Sequence, residues 1–195
     1  MSHKHHQHHH HHHHGSNRFS GDPDSLRDET RNKQFNASAA IDLVLETFQP
    51  QSICDIGCGS GNFSSLFHEK GIAVAGVDAN ERMLEAARKH IPNMDVRLST
   101  AEDLPFEDNA FDLSFLAFVF HEVDDHLKVL SEARRVASKG IVIFDFPHDR
   151  YFEFGPPQKI RIVPDTLREQ CAQLGLPAPE VFAHQNSMLY FISLA

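Results

Sequence analysis

The sequence predicts an α/β fold built on a mostly parallel sheet, and three observations carry that expectation. Apolar strand patterns alternate with helix patterns over residues 52–146. The first of those strands ends in an acid and runs into glycines at every second position, Gly57, Gly59 and Gly61. The last two strand patterns are separated only by Gln185, Asn186 and Ser187. Strands that alternate with helices pair in parallel through right-handed crossovers. A three-residue link is too short for such a crossover, so the terminal pair is expected to be antiparallel.

Each element follows from local chemistry. Ala37, Ala40, Ile41, Val44, Leu45 and Phe48 recur at helical spacing, with Asn36 or Ser38 as cap and Pro50 as stop. Ser52–Ile56 is a buried strand, and Asn62 to Lys70 a helix stopped by Gly71. Ile72–Val77 is the second strand, with Asp78 just past its end; Asn80 caps a helix through His90, closed by Pro92. Met94–Leu98 and Phe111–Ala117 are the third and fourth strands, joined by a loop with Pro105. Asp124 or Asp125 caps a helix to about Ala137, and Lys139-Gly140 turns into a fifth strand, Ile141–Phe146. Pro164-Asp165 opens a helix to Leu174, stopped by Gly175, and Glu180–His184 and Met188–Leu194 complete the sheet.

Composition narrows the function. Met1 to Ser16 hold ten of the sixteen histidines and end in Gly-Ser, the signature of an expression tag, so they are set aside. Residues 17–35 are polar, with a turn at Gly21-Asp22-Pro23-Asp24, and read as a flexible N-terminal arm or a lid. Residues 36–195 are long enough for one domain with a real core. The formal charge of −9 argues against nucleic acid, because phosphate contacts need clustered Lys and Arg. Three cysteines, Cys54, Cys58 and Cys171, fit a reducing cytoplasm and no disulfide framework. No stretch reaches the roughly 18 to 20 apolar residues that cross a bilayer, so no membrane association is expected.

The glycine run excludes several chemistries. A dinucleotide fingerprint needs its third glycine at position 62, which is Asn62, and no Gly-Lys-Ser/Thr phosphate loop exists. Radical iron–sulfur spacing after Cys54 and Cys58 fails at Gly61. His121 and His126 are five apart, so they do not share a helix face as zinc-protease histidines do, and no metal is expected.

What remains, Asp55-Ile56-Gly57-Cys58-Gly59-Ser60-Gly61, resembles motif I of the class I S-adenosylmethionine (SAM) methyltransferases. Three later stretches, in the same order, resemble the small "type 11" members: Val77-Asp78-Ala79-Asn80, Ser99 to Phe106 with Phe111-Asp112, and Ala117 to Asp125 with Glu132 to Val136. The resemblance covers residues 36–195 and implies a Rossmann-like seven-stranded, mostly parallel sheet. Helices lie on both faces, and strand order 3-2-1-4-5-7-6 ends in an antiparallel hairpin. It implies SAM as cofactor and S-adenosylhomocysteine as product. Gly57, Cys58, Gly59 and Gly61 would pass under the methionine part of SAM, with Asp55 near its ammonium. Asp78, followed by Ala79, would accept from both ribose hydroxyls. Met83 would pack near the adenine, and Ala101 and Glu102 would hold its edge. Phe118 would pass the sulfonium, and His121 would face the acceptor as a base. The chain departs from the family at Ser138-Lys139-Gly140, where a Lys-Pro-Gly-Gly turn is common.

The acceptor is less legible. The Asn/Asp-Pro-Pro-Tyr/Phe signature of many amino-group methylases is absent after the fourth strand, and no recognition domain is inserted. Residues 147–163, with Tyr151, Phe152, Phe154 and Pro156-Pro157, are free to wall a pocket for a small-molecule substrate. A SAM-binding partner protein without transfer activity, or a nicotinamide enzyme on a related fold, are the alternatives.

Overall fold

The computed structural model describes residues 21–152 and 155–194. The tag over 1–16, the first residues of the arm, and Phe154 lie outside the described residues. Chain order is α1 (Glu29–Phe35), α2 (Ala37–Phe48), β1 (Ser52–Ile56), α3 (Asn62–Glu69), β2 (Ala73–Asp78), α4 (Glu81–His90) and β3 (Asp95–Leu98). There follow β4 (Phe111–Ala117), α5 (His126–Val136), β5 (Ala137–Asp145), α6 (Pro164–Gln173), β6 (Glu180–His184) and β7 (Ser187–Ser193).

The strands form one sheet ordered β3-β2-β1-β4-β5-β7-β6. β1 pairs in parallel with β2 and β4, and β4 with β5, whereas β7 runs antiparallel to both β5 and β6. The order expected from the sequence is therefore observed, antiparallel end included.

Side-chain alternation on the central strands feeds two cores. Ile141 and Ile143 face α5 and α6, together with Cys54, Ile56, Leu116 and Tyr190. Val142 and Phe144 point to the other face, where Ile53, Leu113 and Phe115 meet Phe35, Ile41, Val44 and Phe67 of α1, α2 and α3. α4 packs on β2 and β3. No helix among the described residues is long and apolar enough to cross a membrane.

Two local differences from the sequence reading have clear causes. Within residues 21–35, to which the sequence reading gave no regular element, lie a 3-10 turn, Pro23–Arg27, and α1. Asp22 and Asp28 cap these segments by accepting from Asp24 N–H and Thr30 N–H. α1 carries little apolar periodicity because it docks through polar side chains: Asn32 and Asn62 exchange reciprocal amide hydrogen bonds of 3.1 and 2.8 Å. The second difference is that Lys139-Gly140 is strand, not turn, since β5 begins directly after α5. Gly140 is required in that strand by packing: a Cβ there would lie 2.5 Å from Cε1 of Phe48, whose ring covers it.

The fold puts acids where ligands bind. Strand order reverses between β1 and β4, the switch point at which open α/β sheets form a crevice beyond the carboxyl ends of their strands. Asp55, Asp78 and Asp145 all lie at those ends.

Candidate active site in the crevice

The loop after β1 is built on the end of β2. Gly57 and Cys58 donate their N–H groups to Val77 O at 2.8 and 2.9 Å. The Gly59 N–H donates to Asp78 Oδ2 at 2.9 Å, while Asn80 N–H donates to Oδ1 at 2.9 Å. Positive φ values at Gly57 (72°) and Gly59 (53°) produce this path, which most side chains resist. Space is equally limiting at Gly57, where a Cβ would fall 2.3 Å from Val119 Cγ2. The loops after β1 and β4 thus touch across the switch point.

Asp55 is the next-to-last residue of β1 and is 2% exposed. Its Oδ2 accepts from Ser64 Oγ at 2.5 Å. Burial pushes its carboxyl up to about 7; the Ser64 bond opposes this and the Asp78 charge adds to it. A carboxylate held this far from water is poised to take a cation.

Both acids open into a cavity of about 1200 Å³, larger than the roughly 300–1000 Å³ of a single small-ligand pocket. Gly57, Cys58, Gly59, Asp78, Ala79, Met83, Ala101, Glu102, Phe118 and His121 also line it. Gly61 does not. Its φ of 78° starts α3, and its Cα faces Ala87 and Ile91 on α4, so the third glycine shapes the helix entry. In sequence, where only spacing is visible, Gly57, Gly59 and Gly61 are equivalent.

The cavity lining combines two chemistries. Asp55, Asp78 and Glu102 make a polar part. The rings of Phe35, Phe63, Phe118 and Phe146 cluster into an aromatic part, with centroids 4.6 Å apart for Phe35–Phe118 and 4.9 Å for Phe118–Phe146. Phe118 has φ 56° and donates its N–H to Phe144 O at 2.7 Å, which turns the chain sharply after β4.

That turn delivers His121. The residue is 6% exposed, and Nδ1 lies 2.6 Å from Asp145 Oδ1, a fully buried carboxylate at the end of β5. Nε2 is 3.8 Å from Glu122 Oε1 at the cavity wall. Burial alone would hold the imidazole down, but the charge and hydrogen bond of Asp145, with Glu122 behind them, outweigh it; Arg161 opposes. The net shift is upward from the ordinary histidine value.

Sequence reasoning missed several parts of this site. Asp145 read as a strand residue within Ile141–Phe146, and only the pairing Ala117↔Phe144 brings it beside His121. Arg31 of α1 stands over the Phe118 ring at 5.3 Å and is lowered by burial, with Glu122 opposing. Leu26 covers Gly59, and Arg27 donates to Ser60 O and Ser65 Oγ, so these two residues roof the glycine loop. Arg161 closes the far side: it is 6% exposed and donates to the carbonyls of Pro147, Arg150 and Pro156. This holds Gly155, Pro156, Pro157 and Ile160 against the cavity.

Comparison with known proteins agrees with this geometry. Residues 54–144 match the family described as "Methyltransferase domain". The demethylmenaquinone methyltransferase of Thermotoga maritima is 33% identical over 101 residues, covering 51% of this chain and 44% of that protein. The enzyme of the same name from Thermus thermophilus is 36% identical over 124 residues, covering 60% and 56%. The chain spans about half the length of the curated relatives it matches. A SAM dependent methyltransferase from Aquifex aeolicus has the same fold, with TM-score 0.74 at 22% identity over 90% of this chain and 100% of that one. Residues 54–144 therefore resemble the methyltransferase-domain family, and the chain has the fold of the class I SAM-dependent methyltransferases.

Proposed function

We propose that this chain binds SAM in the crevice and transfers its methyl group to a small apolar acceptor held at the aromatic part of the lining. One observation carries the reading: a buried carboxylate, Asp55, and a glycine loop bonded to a second acid, Asp78, share one cavity with room to spare. The donor set fits SAM. Its ammonium would satisfy Asp55, and its ribose hydroxyls match the two oxygens of Asp78. The loop between them leaves no room for a Cβ, which would meet Val119 at Gly57 and Leu26 at Gly59. Ala101 and Glu102 would border the adenine and Met83 would pack beside it. The volume beyond one ligand is what an acceptor requires.

When bound, SAM supplies a methyl made electrophilic by its sulfonium, and the breaking S–CH₃ pair stays on sulfur. The chain's own task is positioning. Asp55 and Asp78 anchor the two ends of the cofactor; Phe35, Phe118 and Phe146 hold an apolar acceptor and keep water out. Positioning of this sort contributes roughly 7 to 11 kcal/mol to lowering a barrier. The curated relatives named demethylmenaquinone methyltransferase support a small-molecule acceptor, and the net negative charge argues against nucleic acid.

Turnover of methyl-labelled SAM against a panel of small apolar metabolites tests this. Transfer to at least one acceptor is expected. Tight SAM binding with no transfer to any would reassign the chain as a binding protein.

A further inference from the structure

His121 and Asp145 form a unit that cofactor binding does not require. The 3-10 turn Phe120–Glu122 follows β4, Asp145 ends the neighbouring β5, and the pair is buried between them. Both oxygens of Asp145 are engaged: Oδ1 meets His121 Nδ1 at 2.6 Å and accepts from Phe146 N–H at 2.8 Å, and Oδ2 accepts from His121 N–H at 3.4 Å. Burying a carboxylate costs several kcal/mol unless its partners are well placed, so this arrangement fixes the ring.

A carboxylate only accepts, so Nδ1 must carry the proton. The lone pair of the neutral ring then sits on Nε2, beside Glu122 at the cavity wall. The Phe146 ring packs edge-on against the imidazole, with centroids 5.8 Å apart. The charged groups facing the imidazole are Asp145 from β5, Glu122 from its own turn and Arg161 from the loop; Arg31 faces Glu122 from α1.

We propose that Asp145 is a positioning residue that holds His121 with Nε2 as a base toward the aromatic part of the cavity, and that the acceptor is methylated at an ionisable hydroxyl, as in phenols and enols. The inference rests on the methyl-transfer reading above. In the step, the O–H bond breaks, its proton goes to Nε2 and its electron pair stays on oxygen as the nucleophile. The imidazolium later returns the proton to solvent. The acceptor class follows from acidity. A thiol ionises near pKa ~8.5 and an amine attacks through its neutral nitrogen, whereas a phenol near ~10 keeps its proton at neutrality and gains most from a base.

The test uses the whole chain and two probes, naphthol and its sulfur analogue thionaphthol. Nitrogen-15 NMR of histidine-labelled wild-type protein should show the His121 proton on Nδ1, a readout that needs neither cofactor nor variant. Asp145→Asn should lower the His121 titration. With labelled SAM, naphthol should be methylated. The variant should reduce kcat about a hundredfold, the lower end of general-base effects, with KM unchanged and the acid limb of the pH profile moved to lower pH. Thionaphthol turnover should change little. A wild-type proton on Nε2, an unmoved titration in the variant, equal losses for both probes, or no methylation of naphthol would each overturn the proposal. Binding of S-adenosylhomocysteine by calorimetry separates the two levels: a chain that binds it but fails these tests keeps the methyl-transfer reading, and one that does not bind loses both.

Discussion

Replacing Asp55 with asparagine separates the cost of burying that carboxylate from its use. Burial raises the group from 3.8 to about 7, so over that interval the native state holds a proton that the unfolded chain has released. Stability conferred by the protonated form is present below pH 3.8 and is lost as pH rises through about 7. The slope is about −1.4 kcal/mol per pH unit, which sums to about 4 kcal/mol across the interval. Asparagine keeps an oxygen to accept from Ser64 but cannot ionise. In urea melts without ligand, Asp55→Asn should therefore show little of this pH slope. Near pH ~8.5 it should exceed the wild type by about 2–4 kcal/mol. The same variant should bind SAM about thirtyfold or more weakly, because removing one partner of a buried charge pair costs roughly 2–5 kcal/mol. A variant with the wild-type pH slope, or with undiminished SAM affinity, would refute the reasoning.

The other substitutions probe the walls. Gly57→Ala places a methyl against Val119 at a φ of 72° and should cost about 2–4 kcal/mol in chemical denaturation, from left-handed strain plus overpacking. Equal stability would mean the two loops do not meet. Arg161→Met removes charged donors from three carbonyls and should cost about 3 kcal/mol. It should raise the KM for the acceptor while leaving S-adenosylhomocysteine affinity unchanged; a selective loss of cofactor affinity would place that loop at the cofactor's part of the cavity.

The sheet was legible because alternation and link length constrain pairing locally. Phe111–Ala117 is observed with the expected bounds, and the hairpin follows from its short link, turned at Gln185 with φ 48°. The polar part of the site was legible too, since glycine spacing and strand-end acids are properties of short stretches. Three things were not. α1 has one buried residue, Phe35, and docks through Asn32 and Arg31, which periodicity does not register. Asp145 becomes a partner of His121 only through the β4–β5 register, a contact between residues 24 apart. Gly61 shares the spacing of its neighbours but supports a helix–helix contact that only packing reveals.

The central claim is that Asp78 and the glycine loop bonded to it form one side of a SAM site. Calorimetry of SAM, S-adenosylhomocysteine and NAD against the wild type and Asp78→Ala tests it most directly. Wild type should bind SAM and S-adenosylhomocysteine and not NAD, and Asp78→Ala should bind none of them. Binding of NAD, or unchanged S-adenosylhomocysteine affinity in a folded Asp78→Ala protein, would contradict it.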